Sequence, residues 1–100
     1  MSIVIAGSYR VPLENLPALR PHMATVIAAS CAEDACVTYS YAEDVTEPGL
    51  IRVFEVWRDQ AGVEAHFKSD HMAAWQAARA GAGLFDRKIF AYEVASERQL

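Results

Sequence analysis

The spacing of apolar residues along the chain changes between the period of a strand and the period of a helix. Ile3 to Val11 is apolar or aromatic at most positions and β-branched early, which predicts a strand that Pro12 ends. Apolar residues then recur at steps of three and four until Glu33 and Asp34, as in a helix. The apolar stripe of this helix consists of Leu16, Leu19, Met23, Val26 and Ser30.

The second part of the chain predicts a hairpin, a helical segment and a last strand. Ala35–Ala42 alternates between two faces, and Leu50–Arg58 returns after a connection rich in turn residues. Two short helices follow, Gln60–Phe67 and His71–Ala80, and Phe85–Val94 reads as the last strand. The order is therefore β-α-β-β-α-β.

This order predicts an α+β, ferredoxin-like fold, in which helices cover one face of a four-stranded antiparallel sheet. A chain of 100 residues is expected to form a single domain, here residues 1–100. The polar tail, 96–100, is expected to be loose.

The strands carry apolar residues on both of their faces. In the third strand, Ile51, Val53 and Trp57 share one face, while Phe54 and Val56 share the other. The last strand alternates in the same way, and 53% of all residues are apolar. Because helices can cover only one face, the other would be a large exposed apolar patch. We therefore predict a homodimer in which two sheets pack face to face.

Charge and cysteine content narrow the expected partners and compartment. Nine Lys and Arg against thirteen Asp and Glu give a net charge of −4, without a basic cluster, so neither nucleic acid nor a membrane surface is an expected partner. The first apolar run is too short for a signal peptide. Cys31 and Cys36 form no CxxC motif and are expected to be small buried thiols. Together these features favour the cytoplasm.

One carboxylate lies in the middle of an apolar strand. Glu55 shares the face of Val53 and Trp57. A buried carboxylate is costly unless it is paired or lines a cavity, and burial raises its pKa. Glu55 is therefore either a catalytic group in a cavity or half of a structural ion pair.

The three histidines are candidates for a metal site or for contact with a ligand. His66 closes one short helix and His71 opens the next, and a spacing of five does not place two histidines on one helical face. This spacing excludes the i, i+4 metal pair, so no metal is expected. His22 falls on the apolar stripe of the first helix, between Leu19 and Val26, where it is either a core residue or a ligand contact.

The segment Phe54–Asp59 followed by His66–His71 resembles the antibiotic biosynthesis monooxygenase (ABM) family. That family combines Glu-x-Trp at the end of the third strand, a short helix ending in His, and a His at the next helix cap. The matching residues here are Glu55, Trp57 and His66, with His71 at the cap. The resemblance implies ferredoxin-like dimers with a pocket between sheet and helices. Some members oxidise quinols or phenols with O₂ and no cofactor; others are isomerases or degrade haem.

The resemblance and the residues together favour a cofactor-independent monooxygenase that acts on a small quinol or phenol with O₂. A base tuned toward neutral pH would deprotonate the ring hydroxyl, and aromatic side chains would hold the ring. The expected catalytic residues are Glu55, His66 and His71. The expected substrate-binding residues are Trp57, Phe67, Trp75 and His22.

Two alternatives remain open. The first is a non-oxidative isomerase or lyase acting on a small carbonyl compound; a phosphorylated substrate would need cations in the pocket, and Arg79 lies on a helix without an evident place there. The second is a non-catalytic ligand-binding module. Haem degradation is disfavoured because Gly7, His66 and Gln76 stand where the haem-degrading relatives carry Asn, Trp and His.

Overall fold

The computed structural model describes residues 1–100 and confirms the order of elements. A short 3₁₀ turn at Leu13–Asn15 leads into the first helix. Most boundaries lie within two residues of those that the sequence predicts; the first helix stops at Cys31, short of Glu33 and Asp34. The elements are β1 (Ile3–Arg10), α1 (Leu16–Cys31), β2 (Cys36–Glu43), β3 (Leu50–Trp57), α2 (Gln60–Phe67), α3 (Asp70–Ala80) and β4 (Phe85–Glu93).

The four strands form one antiparallel sheet in the order β2-β3-β1-β4, the ferredoxin-like topology. Glu55 lies at the centre of this sheet, because it pairs with Ile5 of β1 on one side and with Tyr39 of β2 on the other. Directly paired residues point to the same face of a sheet. The register therefore turns Glu55 toward the helices together with its two apolar neighbours.

The core lies between the helices and the inner face of the sheet. β1 contributes Tyr9 and β3 contributes Ile51 and Val53, and all three are buried. The predicted stripe of α1 packs against them, which confirms the 3.6-residue period of this segment. α3 adds Met72 and Trp75, which are both buried in the same cluster.

The outer face of the sheet is apolar and open in the single chain. Ala6 of β1 pairs with Phe54 on one side and with Phe90 on the other, so the two rings flank it in one row. Phe54 is 47% exposed and Phe90 is 58% exposed. The next row places Val4 between Val56 and Tyr92.

A β-bulge in β4 changes the direction of the strand beside Tyr9. The pairing register with β1 shifts between Ser8 and Arg10, and two residues of β4, Asp86 and Arg87, lie opposite the single residue Tyr9. Asp86 adopts the left-handed conformation at φ 53°, which Asp tolerates better than most residues. Bulges of this kind re-aim side chains.

Both cysteines are free, and Cys31 is exposed, which corrects the expectation that both are buried. Cys31 is the last residue of α1 and falls off its apolar stripe, and its Sγ lies 3.6 Å from the carbonyl oxygen of Tyr39 at the exposed edge of the helix. No helix combines the length and the apolar content needed to cross a lipid bilayer.

Candidate functional site

A small cavity of about 50 Å³ lies between the inner face of the sheet and the helices α2 and α3. Most of its lining is aliphatic or aromatic. Polar and ionisable groups enter from six elements: phenols from β1 and β2, a carboxyl group from β3, a histidine from α2 and arginines from α3 and β4. These side chains are Tyr9, Tyr39, Tyr41, Glu55, His66, Arg79 and Arg87, and Phe67 of α2 also lines the cavity.

Glu55 lies on the sheet side of this cavity and is almost completely buried, at 6% exposure. Its Oε1 accepts a hydrogen bond of 2.9 Å from Nε1 of Trp57, which lies two residues further on the same face of β3. Burial raises the pKa of Glu55 to about 7, and the Trp57 hydrogen bond and the positive charge of Arg87 oppose this rise only in part. The carboxyl group can therefore take up or release a proton near neutral pH.

α2 brings His66 into the cavity because the helix packs closely against the start of β2. Asp59 caps this helix and accepts a hydrogen bond of 2.8 Å from the backbone N–H of Gly62. A Cβ atom on Gly62 would lie 2.3 Å from Cβ of Ala35, so only glycine permits this approach. His66 follows one turn later and is buried to 1% exposure.

The imidazole of His66 is held by one carboxylate and one aromatic ring. Its Nδ1 lies 2.6 Å from Oε2 of Glu33, and its ring centroid lies 4.5 Å from that of Trp57. Burial lowers the pKa of His66, and Glu33 opposes this effect only in part. Since Nδ1–H donates to the carboxylate, Nε2 is left as a proton acceptor without a partner in the protein.

Glu33 connects the buried histidine to a second one near the surface. The same Oε2 lies 2.8 Å from Nε2 of His71. Ser69 fixes the two helices to each other, because its hydroxyl donates to the carbonyl of His66 and accepts from the N–H of Met72. Glu33 and His71 are both partly exposed, so the three side chains form a hydrogen-bonded path from the cavity toward solvent.

The same three side chains form a set that could hold a metal ion. Their donor atoms, from Glu33, His66 and His71, lie within 4.8 Å of one another. The spacing of the two histidines argues against a metal, but the third donor, Glu33, comes from the connection that follows α1. In the structure, however, the carboxylate oxygen lies within hydrogen-bond distance of both rings.

The other predicted site residues fall into different environments. Phe67 lines the cavity and is half-exposed, while Trp57 lies behind Glu55 with no exposed surface. Trp75 packs in the core against Tyr41, with ring centroids 5.7 Å apart, and does not line the cavity.

The prediction that His22 lies on the apolar stripe of α1 is wrong. It is exposed and lies beside a separate cleft of about 290 Å³ that also contains Glu14 and Asn15. The stripe passes through Met23 instead, one residue on, and one residue of a helix corresponds to a rotation of about 100°.

Four residues of the site were missed by sequence reasoning. Tyr9 had a usable signal, since it shares the inward parity of Ile3 and Ile5 on β1. Arg79 also had one, because it follows Met72 and Trp75 at helical steps of three and four. Arg87 had one too, since it shares the inward parity of Ile89 and Ala91 on β4. Glu33 had none, because it follows a helix end.

The hydroxyl group of Tyr9 is buried without a hydrogen-bond partner. The side chain is 2% exposed and lines the cavity. Burial raises its pKa, so the group remains a neutral O–H donor. A buried hydroxyl without a partner is uncommon, which marks this part of the cavity as a place for a polar atom from outside the chain.

Solved structures share this fold across nearly the whole chain. A "putative antibiotic biosynthesis monooxygenase" from Deinococcus radiodurans superposes with a TM-score of 0.89 at 24% identity, covering 100% of this chain and 98% of the other. A conserved protein from Methanosarcina mazei gives a TM-score of 0.83 at 19% identity and covers 92% and 91% of the two chains. PA3566 from Pseudomonas aeruginosa gives a TM-score of 0.75 at 27% identity and covers 94% of each chain.

At the level of sequence, the chain matches an uncharacterized protein from Synechocystis sp. with 35% identity over 69 residues. The match covers 69% of this chain and spans about half, 47%, of that relative. The sequence model of the family described as "Antibiotic biosynthesis monooxygenase" (ABM) matches residues 2–78, which contain the third strand, α2, most of α3 and Glu33. The chain therefore belongs to the ABM family.

Proposed function

We propose that this protein is a cofactor-independent monooxygenase that oxidises a small quinol or phenol with O₂. The observation that carries the proposal is that Glu55 and His66 line one cavity, with a carboxylate behind the histidine. A merely structural role would not need a carboxyl group with a pKa of about 7 and an imidazole with an unpartnered Nε2 in the same cavity. This convergence favours catalysis over a non-catalytic binding module.

In the proposed reaction, Nε2 of His66 accepts the proton of the ring hydroxyl, and Glu33 stabilises the imidazolium that forms. The resulting electron-rich anion transfers an electron to O₂, and recombination forms a new C–O bond. For hydroquinone, the products are 2-hydroxy-1,4-benzoquinone and one water, so that both oxygen atoms of O₂ and all hydrogens are accounted for. Glu55 takes up or returns a proton as the peroxide bond breaks.

The inner cavity alone is too small for such a ligand, which would also have to occupy the adjoining cleft. Sites for small molecules usually measure roughly 300–1,000 Å³, and the inner cavity alone is far smaller. An adjoining cleft of about 520 Å³ shares Arg79 and Arg87 with it. The ring would therefore enter through the cleft, lie beside Phe67 in the inner cavity and place its reacting hydroxyl toward His66.

The proposal is tested by O₂ consumption with hydroquinone and a panel of substituted phenols, using protein treated with chelator. We expect saturable O₂ uptake that His66→Gln abolishes and that Glu55→Gln and His71→Ala weaken. Val45→Ala, in an exposed turn, is the matched control and should leave the rate unchanged. The absence of O₂ uptake across the whole panel would overturn the proposal.

One observation favours the second candidate, a non-oxidative isomerase or lyase. The sequence shows no cation with an evident place in the pocket, which disfavours a phosphorylated substrate. In the structure, however, Arg79 and Arg87 line the cavity. The same His66 would then move a proton between carbons of a carbonyl substrate. Exchange of substrate hydrogen with D₂O under anaerobic conditions would identify this reaction.

We also propose that the working unit is a homodimer formed through the outer face of the sheet. Phe54, Phe90 and Tyr92 are each about half exposed and lie on adjoining rows of this face. Exposed aromatic rings in one contiguous patch are costly for a monomer.

The cytoplasm remains the proposed compartment, in agreement with two free cysteines.

A further inference from the structure

Two arginines line both the inner cavity and the cleft that adjoins it. Arg79 reaches this place from the third turn of α3, and Arg87 reaches it from the bulge of β4. They are the only cationic side chains that line either space. Arg79 is partly exposed and Arg87 is exposed, so water screens their mutual repulsion only in part, and an anion between the two guanidinium groups would be attracted by both.

Neither arginine has an acidic partner in the structure. The nearby carboxylate of Asp86 is occupied, since it lies 3.5 Å from Arg10 and 3.4 Å from Lys88. Arg10, Arg20, Arg52 and Arg58 all form ion pairs, so the two guanidinium groups at the cavity differ from the other arginines of helices and strands. In a chain with a net charge of −4, two unpaired arginines at one cavity form a local positive field.

The phenol of Tyr9 supplies an independent observation that a ligand is missing here. It is buried, lines the same cavity and has no hydrogen-bond partner. The bulge places Arg87 directly opposite it on the neighbouring strand. Glu55 lines the same cavity and is influenced by the charge of Arg87, but its carboxyl group is bonded to Trp57 and forms no ion pair with either arginine. The O–H of Tyr9 and the two guanidinium groups therefore lack a close acceptor, which the oxygen atoms of an anion would supply.

From this arrangement we infer that the ligand of the cavity carries an oxyanion, a carboxylate or a phosphate ester, that binds between Arg79 and Arg87 with an oxygen on the hydroxyl of Tyr9. The inference deepens the proposed function, on which it rests for its choice of a phenolic ring. The anionic group lies at the junction of cavity and cleft. The ring then extends inward along Phe67 toward His66, so that anion and reacting hydroxyl lie at opposite ends of the ligand.

The test is an anaerobic binding titration, in which no turnover occurs. The probes form two matched pairs that all keep a ring hydroxyl, hydroquinone with 2,5-dihydroxybenzoate and hydroquinone with 4-hydroxyphenyl phosphate. We expect the anionic member of at least one pair to bind roughly ten-fold more tightly, as charge-assisted hydrogen bonds permit. The pair that shows this preference distinguishes a carboxylate from a phosphate ester. Equal affinities within both pairs, or no binding of any probe at millimolar concentration, would overturn the inference.

Variants then identify the side chains that cause the preference for the anionic probe. Arg79→Gln and Arg87→Gln should each abolish most of it, and Tyr9→Phe should reduce it. Lys88→Gln removes the same charge from the neighbouring residue of β4, which faces the other side of the sheet, and should leave it intact. A preference that survives both arginine substitutions would contradict the assignment. If the preference is present but no O₂ is consumed, the inference holds and the proposed function fails; O₂ uptake without any preference gives the opposite result.

Discussion

Nδ1 of His66 lies 2.6 Å from Oε2 of Glu33, although the two residues are separated by 33 positions in the chain. The hydrogen bond joins the connection between α1 and β2 to the last turn of α2. It fixes the tautomer of an imidazole that is almost completely buried, and it leaves the other ring nitrogen available to a ligand. The pair therefore defines which atom acts as the base in the proposed reaction.

The first prediction concerns Glu33→Gln. Loss of the carboxylate removes the group that holds the tautomer and stabilises the imidazolium, so kcat should fall roughly ten- to a hundred-fold. Because Glu33 raises the pKa of His66 against burial, its loss should also move the acid limb of the kcat/KM profile to lower pH. The measurement is O₂ uptake with hydroquinone between pH 5 and pH 8. A reduced rate with an unmoved acid limb would mean that Glu33 acts only on the fold.

The second prediction separates the two histidines. His71 binds Glu33 from the surface side and does not line the cavity, so His71→Ala leaves the His66–Glu33 bond in place. We expect a loss of about ten-fold or less in kcat, whereas His66→Gln should remove the catalysed rate. Circular dichroism of both variants provides the control for folding. Equal losses would indicate that His71 is itself the base.

The fold could be predicted from the sequence because its signals are local. Strand and helix periods recur without interruption, and the parity of Glu55 on β3 was enough to place it on the inner face. His66 and His71 were also identified, since they mark two helix ends. Their connection was not predicted, because it depends on Glu33, a charged residue after a helix that looks like any other solvated end.

The arginines show a second limit of sequence reasoning. Arg79 lies on the same helical face as Met72 and Trp75, but a charge at the end of a helix is normally solvated and the pattern alone does not show what faces it. Arg87 has the inward parity of Ile89 on β4, but it lies near the start of the strand, where a charge is also normally solvated. Tertiary packing, not local propensity, determines both positions.

The third prediction concerns metal ions at the cluster of Glu33, His66 and His71. The proposed reaction uses these side chains for hydrogen bonding, so extensive treatment with chelator should leave O₂ uptake unchanged. Added Zn²⁺ should inhibit, because a bound cation would occupy the donors that orient His66. Metal analysis of the active protein provides the control. Loss of activity on chelation, with recovery on adding one metal, would overturn the metal-free mechanism.

The fourth prediction addresses the outer face of the sheet. Phe54→Asp places a charge in the centre of the proposed dimer interface and removes a ring whose burial contributes about 1.5–3 kcal/mol. We expect sedimentation to show a dimer for the unchanged protein and a monomer for this variant at micromolar concentration. Val45→Asp introduces the same charge in a turn where the side chain is 99% exposed, and should remain dimeric. A monomeric unchanged protein would contradict the proposal.

The fifth prediction follows from the carboxyl group of Glu55. Its pKa in the folded chain is raised to about 7, from 4.5, because burial disfavours the ionised form. Between these two values the unfolded chain releases a proton that the folded chain retains, so the free energy of unfolding decreases as pH rises. The full loss is reached above pH 7 and amounts to about 3 kcal/mol.

Glu55→Gln keeps an oxygen acceptor for Trp57 but cannot ionise, so its stability should lack this decrease. Urea unfolding at pH 5 and at pH 8 measures the free energy of unfolding of both proteins. The stability of Glu55→Gln relative to the unchanged protein should rise by up to about 3 kcal/mol between the two pH values. Protonation of His66 and of the surface groups affects both proteins alike and cancels in the difference. The same difference at both pH values would mean that Glu55 ionises in the cavity at little cost, and could not serve as an acid near neutral pH.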